Sequence, residues 1–353
     1  MSRGPVSRVA AGRRPPRPPV VARVADLAEG ASSRRVVRPG DARSGAGFER
    51  LEIDGERYLL KTLRWSDDWI MRAVGDRDYR TFRLWRSGLM HRLPPSIDHT
   101  VAAMALEGSG PDALLGVLMR DVGELLVPEG DAVVAPALHR RFVDHLAGLC
   151  AAFWGWRDRL GLAPMATRLC SFAPGTLEPE LTRPDVSPVV TAAFQGWDRL
   201  ARRAPELHAV ALRLHARTEP LVAALARTPA TFLHGDWKMG NLGAHPDGRT
   251  ILLDWAYPGE GPACWDLGWY LALNRLRLPE SKEDTIAAFR AALRRHGVDV
   301  DGWFERQLRL CLLGMMAAFG WEKALGDDGE LGWWVERALD GARLLDELAP
   351  GWR

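Results

Sequence analysis

The stretch FLHGDWKMGNL, residues 232–242, decides how the rest of the chain is read. It follows Pro229 and opens on an apolar run that reads as a short buried strand. Directly after that run come His234, Asp236, Lys238 and Asn241, spaced by apolar residues and two glycines. A second apolar run, ILL at 251–253, ends in Asp254-Trp255, and HPDGR (245–249) between the two runs reads as the turn of a hairpin. A hairpin over 232–254 sets Asp236, Asn241 and Asp254 at one end of one small sheet. Two carboxylates and an amide are hard oxygen donors, and converging there they suit a cation such as Mg²⁺, which also takes phosphate oxygens. Such chemistry needs one carboxylate free to receive a proton from an attacking hydroxyl, while the other groups hold the metal against the phosphates.

Outward from this stretch, composition sets the frame. A chain of 353 residues, 47% of them hydrophobic, is long enough for two lobes with a sizeable core. No apolar run approaches the ~20 residues needed to span a bilayer. The formal net charge of +2 points to neither nucleic acid nor a membrane surface as partner. Cys150, Cys170, Cys264 and Cys311 are scattered without a CxxC pair, which favours reduced thiols and a cytoplasmic setting. The start, MSRGPVSRVAAGRRPPRPPV, is basic and Pro-rich and has no continuous apolar h-region. Residues 1–32 therefore read as a disordered tail rather than a signal peptide.

Residues 36–63 look strand-like, broken by SGAG (44–47) and by the hairpin signal Asp54-Gly55. VAAMALEG (101–108) and ALLGVLM (113–119) read as two more strands, and residues 69–88 have helical periodicity. From about residue 120 helices dominate, near 135–160, 187–203, 205–227, 266–276, 283–296, 302–325 and 331–348. The expected division is a small sheet lobe over 33–119 and a helical lobe over 120–353.

HGDWKMGN followed by LLDW and then GPACWDLGWYL resembles the aminoglycoside phosphotransferase and choline kinase family, from about Val36 to the C-terminal helices. The resemblance implies an α+β, two-lobed protein-kinase-like fold. It also implies an ATP- and Mg²⁺-dependent transfer of the γ-phosphate to a hydroxyl of a small molecule. By that pattern Asp236 is the catalytic base, Asn241 and Asp254 bind Mg²⁺, and His234 and Asp266 pin the loop. Lys238 stands two residues after the base, where it reaches the γ-phosphate or is simply a solvated loop lysine. Lys61 in YLLKTL falls where the family's strand lysine reaches the α- and β-phosphates. Ser44, Gly45 and Gly47 form either the loop that covers the phosphates or an ordinary hairpin turn. Arg120 and Val122 in LMRDV supply the main-chain groups that meet adenine.

Two features depart from the pattern. A kinase-like fold pairs its strand lysine with a Glu on the next helix, yet no Glu lies between Glu56 and Glu107. Asp78 is the stand-in, or else a plain surface acid. The metal-binding Asp is followed by Trp-Ala, and HRD and APE are missing, which argues against a protein kinase. A Walker-type NTPase is excluded because no GxxxxGK[ST] occurs. A nucleotide-binding pseudokinase without turnover is the rival from another class. In 321–353 acids outnumber bases, so Asp327, Asp328 and Glu330 either line the cleft for a cationic acceptor or face solvent. Trp321, Trp333 and Trp334 are either pocket walls or helix packing.

Overall fold

The computed structural model describes residues 19–38 and 45–352. In the small lobe the strands are β1 (Val20–Val21), β2 (Ala31–Val37), β3 (Gly47–Ile53) and β4 (Glu56–Arg64). After the short helices α1 (Trp69–Ala73) and α2 (Arg80–Arg86) come β5 (Ile97–Asp98), β6 (Val101–Glu107) and β7 (Leu114–Arg120). Six of these strands form one sheet in the order β1-β6-β7-β4-β3-β2, antiparallel except where β1 runs parallel to β6. The β3–β4 hairpin turns at Asp54 and Gly55, both at positive φ (51° and 79°), the geometry that suits the right-handed twist of the paired strands. Lys61 sits mid-way along β4, opposite Val117 of β7, so the sheet holds it from both sides.

Part of the segment expected as a tail, 19–32, belongs to the fold. Pro19 and the residues after it belong to the sheet lobe: β1 pairs Val20 with Met104, and the Pro19 carbonyl accepts from Trp85 Nε1 at 2.9 Å. Val24, Leu27 and Ala28, in a helical turn, are buried with Leu51, Leu60, Ala105 and Leu118. The Pro/Arg-rich composition masked one short apolar segment, VARVADLA, that covers an otherwise bare sheet face. Residues 1–18 lie outside the described residues.

The helix expected over 69–88 is also two pieces. Gly75 (φ 64°) and Tyr79 (φ 54°) take left-handed backbone and end α1 before α2 begins.

The large lobe contains α3 (Pro136–Ala152), α4 (Met165–Cys170), α5 (Pro174–Leu181), α6 (Pro188–Arg203), α7 (Pro205–Ala216) and α8 (Glu219–Ala226). Then come β8 (Ala230–Leu233), β9 (Leu242–Ala244), β10 (Thr250–Leu252) and β11 (Gly259–Pro262), followed by α9 (Cys264–Leu273), α10 (Lys282–Arg295), α11 (Phe304–Leu325) and α12 (Asp328–Leu348). The central helix is α11, which is apolar on almost every face and packs against α6, α9 and α12. Its close approach to α6 requires Gly196, where a Cβ would stand 2.2 Å from the Trp321 carbonyl oxygen. Among the described residues, no helix is long and apolar enough to cross a membrane.

Strand pairing corrects one expectation. HPDGR does turn a hairpin, but its arms are β9 and β10. The run TFL is in β8, which pairs with β11 instead. The polar segment 234–241 is thus a loop between two small sheets.

Candidate active site

The loop is set from below by α9. Asp266, in the first turn of that helix, accepts from the backbone N–H of His234 (2.9 Å) and of Gly235 (3.0 Å). Burial pushes its carboxyl up to about 6, against the attraction of the neighbouring Arg168 and the two hydrogen bonds. Arg168 is itself fully buried, and none of its guanidinium nitrogens has a hydrogen-bond partner among the described residues. Gly235 allows this packing. Its φ is 84°, and a Cβ there would meet the Tyr257 carbonyl oxygen at 2.1 Å and Arg168 Nη1 at 2.2 Å. His234 donates from Nε2 to the Leu253 carbonyl (3.0 Å) and accepts the Asp236 N–H at Nδ1 (3.2 Å). Burial drives this imidazole down to about 3, so it is neutral, with its proton on Nε2. The Met239 N–H donates to Asn274 Oδ1 (2.9 Å), which fixes the far end of the loop.

These contacts leave Asp236 at the floor of the cleft. Its Oδ1 accepts from Trp269 Nε1 (2.8 Å), and its Oδ2 accepts from Asn241 Nδ2 (2.7 Å) and pairs with Lys238 Nζ (3.0 Å). Burial raises its proton affinity, and Lys238 opposes that only in part. Asp254 behaves in the opposite way. Its backbone is left-handed (φ 58°), an arrangement that costs a non-glycine residue about 1–2 kcal/mol. Its side chain is 38% exposed, and Oδ1 pairs with Lys61 Nζ at 3.1 Å. Burial works against the charge, but Lys61 and Lys238 outweigh it and hold the carboxyl below its ordinary value. The Leu253 N–H donates to the Asn241 carbonyl (2.9 Å), which keeps the two candidate metal ligands on adjoining backbone.

A cavity of about 420 Å³ between the lobes is lined by Lys61, Asp236, Lys238, Asn241 and Asp254 together. A second, of about 480 Å³, adjoins it through Leu59, Met119, Leu126 and Leu253 and runs past Arg120 and Val122. Among the described residues, no group of three His, Cys, Asp or Glu could enclose a metal by itself. With Asn241 Nδ2 donating to Asp236, its Oδ1 is left as an acceptor. Asn241 and Asp254 therefore fit a hard cation whose remaining ligands come from a phosphate group or water.

Of the other expected site residues, Arg120 and Val122 line the adjoining cavity, while Asp78, Gly45 and Gly47 do not line either one. Asp78 pairs with Arg83 (2.6 Å) and is 68% exposed; the carboxylate at Lys61 is that of Asp254. The broken helix explains this, because it is Asp68 and Asp76 that line the cleft. Ser44 lies outside the described residues. Gly45 and Gly47 press against the small lobe, where a Cβ would stand 2.0 Å from the Asp67 carbonyl oxygen and 2.6 Å from Thr62 Oγ1. Neither glycine lines the cleft, but the next residue, Phe48, does, with Lys61 Nζ 5.9 Å from its ring centre. Arg120 has committed its N–H to the Thr100 carbonyl (3.0 Å) and its guanidinium to Asp98, and the Val122 carbonyl accepts from Leu125 (2.8 Å).

Of the acids of 321–353, Glu322 lines the cleft, while the three singled out above are spent away from it. Asp327 caps α12 and pairs with Arg275, Asp328 pairs with Arg203, and Glu330 is held by Lys282. Of the tryptophans, Trp321 lines the cleft, Trp334 is core, and Trp333 stacks with Lys282 and Arg337. Sequence reasoning missed Trp269, the donor to Asp236. Its place three residues after Asp266, on the same helix face, was the available signal.

Residues 27–307 match the family model described as the phosphotransferase enzyme family. No curated protein matches the sequence. Among solved structures, the chain is similar to a choline kinase of Streptococcus pneumoniae at 13% identity, covering 92% of this chain and 96% of that one, with a TM-score of 0.47. It is similar to a microcompartment-associated aminopropanol kinase at 14% identity, over 93% and 96% of the two chains, with a TM-score of 0.45. A spectinomycin phosphotransferase in complex with ADP and spectinomycin follows at 12% identity, over 90% and 93%, with a TM-score of 0.44. The chain has the two-lobed α+β architecture of kinase-like phosphotransferases, and it belongs to the phosphotransferase enzyme family.

Proposed function

We propose that the protein transfers the γ-phosphate of ATP to a hydroxyl group of a small molecule. The observation that carries this reading is Asp236: a buried carboxylate of raised proton affinity, oriented by Trp269, Asn241 and Lys238, in the same cavity as the Lys61–Asp254 pair. A group that must take up a proton at the moment of transfer needs that combination of fixed geometry and raised affinity. In the proposed step the acceptor O–H bond breaks toward Asp236. The acceptor oxygen forms a bond to the γ-phosphorus, and the bond from that phosphorus to the leaving ADP oxygen breaks. Lys238 lies beside the base, where its charge offsets the developing negative charge, and Lys61 holds the nucleotide phosphates. Asn241 and Asp254 are the residues that would hold Mg²⁺, which supplies charge neutralisation on the β- and γ-phosphates when bound. The adjoining cavity past Arg120 and Val122 is assigned to adenine, with Leu59, Met119 and Leu253 as its apolar faces.

The test is Asp236→Asn. ATP binding is expected to persist while turnover drops by about 10²–10⁴; undiminished ADP release in that variant removes Asp236 from the role. A nucleotide-binding protein without turnover is the second reading, favoured by Lys61 being paired with Asp254 rather than with a helix acid. An ADP-release screen of the purified protein across hydroxylated acceptors separates the two.

A further inference from the structure

Part of the cleft lining is apolar. Phe172, after α4, Val189 on α6 and Ile70 on α1 are only partly covered, although they come from three separate elements of both lobes, and all three line the same cavity as Asp236. Behind them the rings are continuous. Trp269, which donates to Asp236, lies 4.6 Å from Phe319, centre to centre. Phe319 lies 5.5 Å from Phe172, and Phe172 lies 5.6 Å from Trp321. An aromatic wall therefore begins at the proposed base and runs outward along the cavity. Partly exposed apolar side chains converging on a reactive carboxylate gain from a partner that removes them from water, at roughly 25 cal/mol per Å² of apolar surface buried.

The charges of the cavity point the same way. Each carboxylate on its lining is already engaged within the protein. Asp68 accepts the Met71 N–H (3.0 Å) and Asp76 accepts the Arg80 N–H (2.9 Å). Asp236 and Asp254 are held as described, and Glu322 pairs with the buried Lys323 at 2.7 Å. Among these carboxylates Asp236, Asp254 and Glu322 already have a lysine partner, which a cationic acceptor would have to share. His99, also on the lining, is held neutral by burial, at about 4, and adds no charge near neutral pH.

We propose that the acceptor is an alcohol carried on an apolar ring or branched hydrocarbon body, with at most one ammonium group, and that Phe172, Val189, Ile70 and Trp321 hold that body. The inference rests on the phosphotransferase reading, because the reacting hydroxyl is the one that meets Asp236. A body seated on the aromatic wall directs a hydroxyl at its end to the Asp236 carboxylate, since Trp269 touches both. Glu322, 30% exposed at the far end of the wall, is the group nearest to accommodating one ammonium.

The experiment uses the full chain with 3-phenyl-1-propanol, phenylalaninol and the polyamino sugar kanamycin at millimolar concentration. Binding is read by thermal shift in the presence of ATP and Mg²⁺, and turnover by ADP release. Both phenyl alcohols are expected to bind and to raise ADP release about tenfold over the protein alone, and kanamycin to do neither. Phe172→Ala is expected to raise the KM of the phenyl alcohols about tenfold with little change in kcat, since the wall binds ground and transition states alike. Because that variant removes packing, its unfolding midpoint is measured as well, and the milder Phe172→Leu should give a smaller KM increase. Binding of kanamycin with no binding of either phenyl alcohol overturns the inference and leaves the phosphotransferase reading in place. Binding of the phenyl alcohols, lost in Phe172→Ala, with no ADP released overturns the inference that the wall seats the acceptor and leaves the phosphotransferase reading in place. No binding of either phenyl alcohol overturns the inference, whatever the turnover.

Discussion

The loop from His234 to Asn241 and the segment from Ser66 to Tyr79 supply charged groups to one cleft, and they are held by different means. In the loop the ties are dense, some within the loop and some to the neighbouring helix α9. Asp236 and Asn241 bond each other five residues apart, and His234 accepts from Asp236 two residues on. From α9 and its end, Asp266 takes two of the loop's N–H groups, Trp269 donates to Asp236, and Asn274 accepts from Met239. The segment 66–80 has local ties too, Asp68 to the Met71 N–H and Asp76 to the Arg80 N–H, and an ion pair joins it to the other lobe. Arg72 grips Glu180 of α5 through both carboxylate oxygens (2.8 and 2.6 Å) and also donates to the Ser66 carbonyl (2.5 Å). The Arg72–Glu180 pair is nearly buried, at 10% and 8% side-chain exposure. The loop takes its geometry from bonds within itself and from one neighbouring helix, α9. A segment whose orientation comes from the other lobe acquires its inward face only in the assembled protein.

The largest expected effect separates two glycines with similar backbone. Gly235 and Gly75 both have left-handed φ, 84° and 64°. A Cβ on Gly235 would lie 2.1 Å from a backbone oxygen, while one on Gly75 would meet nothing within 4 Å. Gly235→Ala is expected to cost more than ~3 kcal/mol, or to give no soluble protein, because strain and overpacking add. Gly75→Ala should cost only the conformational term, ~1–2 kcal/mol. Urea unfolding of both variants measures the gap; equal losses would break the contrast between a packed loop and an open turn.

A smaller effect concerns the ion pair between Lys61 of the sheet and Asp254 beside the loop. Lys61→Met keeps the stem that lies near Phe48 and removes the charge that pairs with Asp254. Loss of a charge-assisted hydrogen bond to phosphate is expected to weaken ATP binding by ~1.5–3 kcal/mol. Calorimetric titration with ATP and Mg²⁺ measures it, and an unchanged Kd would mean that Lys61 serves Asp254 alone.

The third effect is one of pH. Folded Asp266 titrates at about 6, above its ordinary 3.8, because burial outweighs Arg168 and the two N–H donors. The folded protein therefore binds this proton more tightly than the unfolded chain does. The stability it contributes is complete below the unfolded value and is lost as pH rises through the folded one. Asp266→Asn has no such titration. The stability of the native protein relative to that variant should fall between roughly pH 4 and pH 6. Unfolding midpoints of the pair across that range are the measurement, and a difference that grows with pH would show that Arg168 dominates over burial.

What the sequence disclosed follows the same division. Asp236, Asn241 and Asp254 are close along the chain, so spacing alone brought them to one place, and Lys61 was found because a single lysine stands in a strand-like run. The strand pairing of β8 was misread because β11, GEGP, has neither apolar alternation nor β-branched residues to announce it. Asp78 was chosen over Asp68 and Asp76 because the apolar periodicity of 69–88 hid a break that only Gly75 hinted at. Facing direction past such a break depends on Arg72 and Glu180, 108 residues apart, and no local pattern carries that. The aromatic wall was equally hidden, because its rings come from three separate segments, α9, α11 and the residues after α4.

The smallest expected effect tests that lesson at Asp78 itself. Its side chain is 68% exposed and pairs with Arg83, which is 38% exposed. Both ends of this pair are open to water and salt, and pairs of that kind are worth ~0–1 kcal/mol. Arg83 also keeps hydrogen bonds to the Leu160 and Gly161 carbonyls (3.3 Å each), so its own position does not depend on Asp78. Asp78→Ala is therefore expected to move the unfolding free energy by less than ~0.5 kcal/mol and to leave the KM for ATP within error. Asp76→Asn is the informative partner. Asp76 is buried, lines the cleft and accepts the first N–H of α2, so its loss should lower stability measurably while Asp78→Ala does not. Steady-state kinetics in ATP and urea unfolding of the two variants side by side decide the matter. A several-fold rise in the ATP KM for Asp78→Ala, with no change for Asp76→Asn, would return the lysine's partner to the position the periodicity suggested and would mean that the 66–80 segment reorients when nucleotide binds.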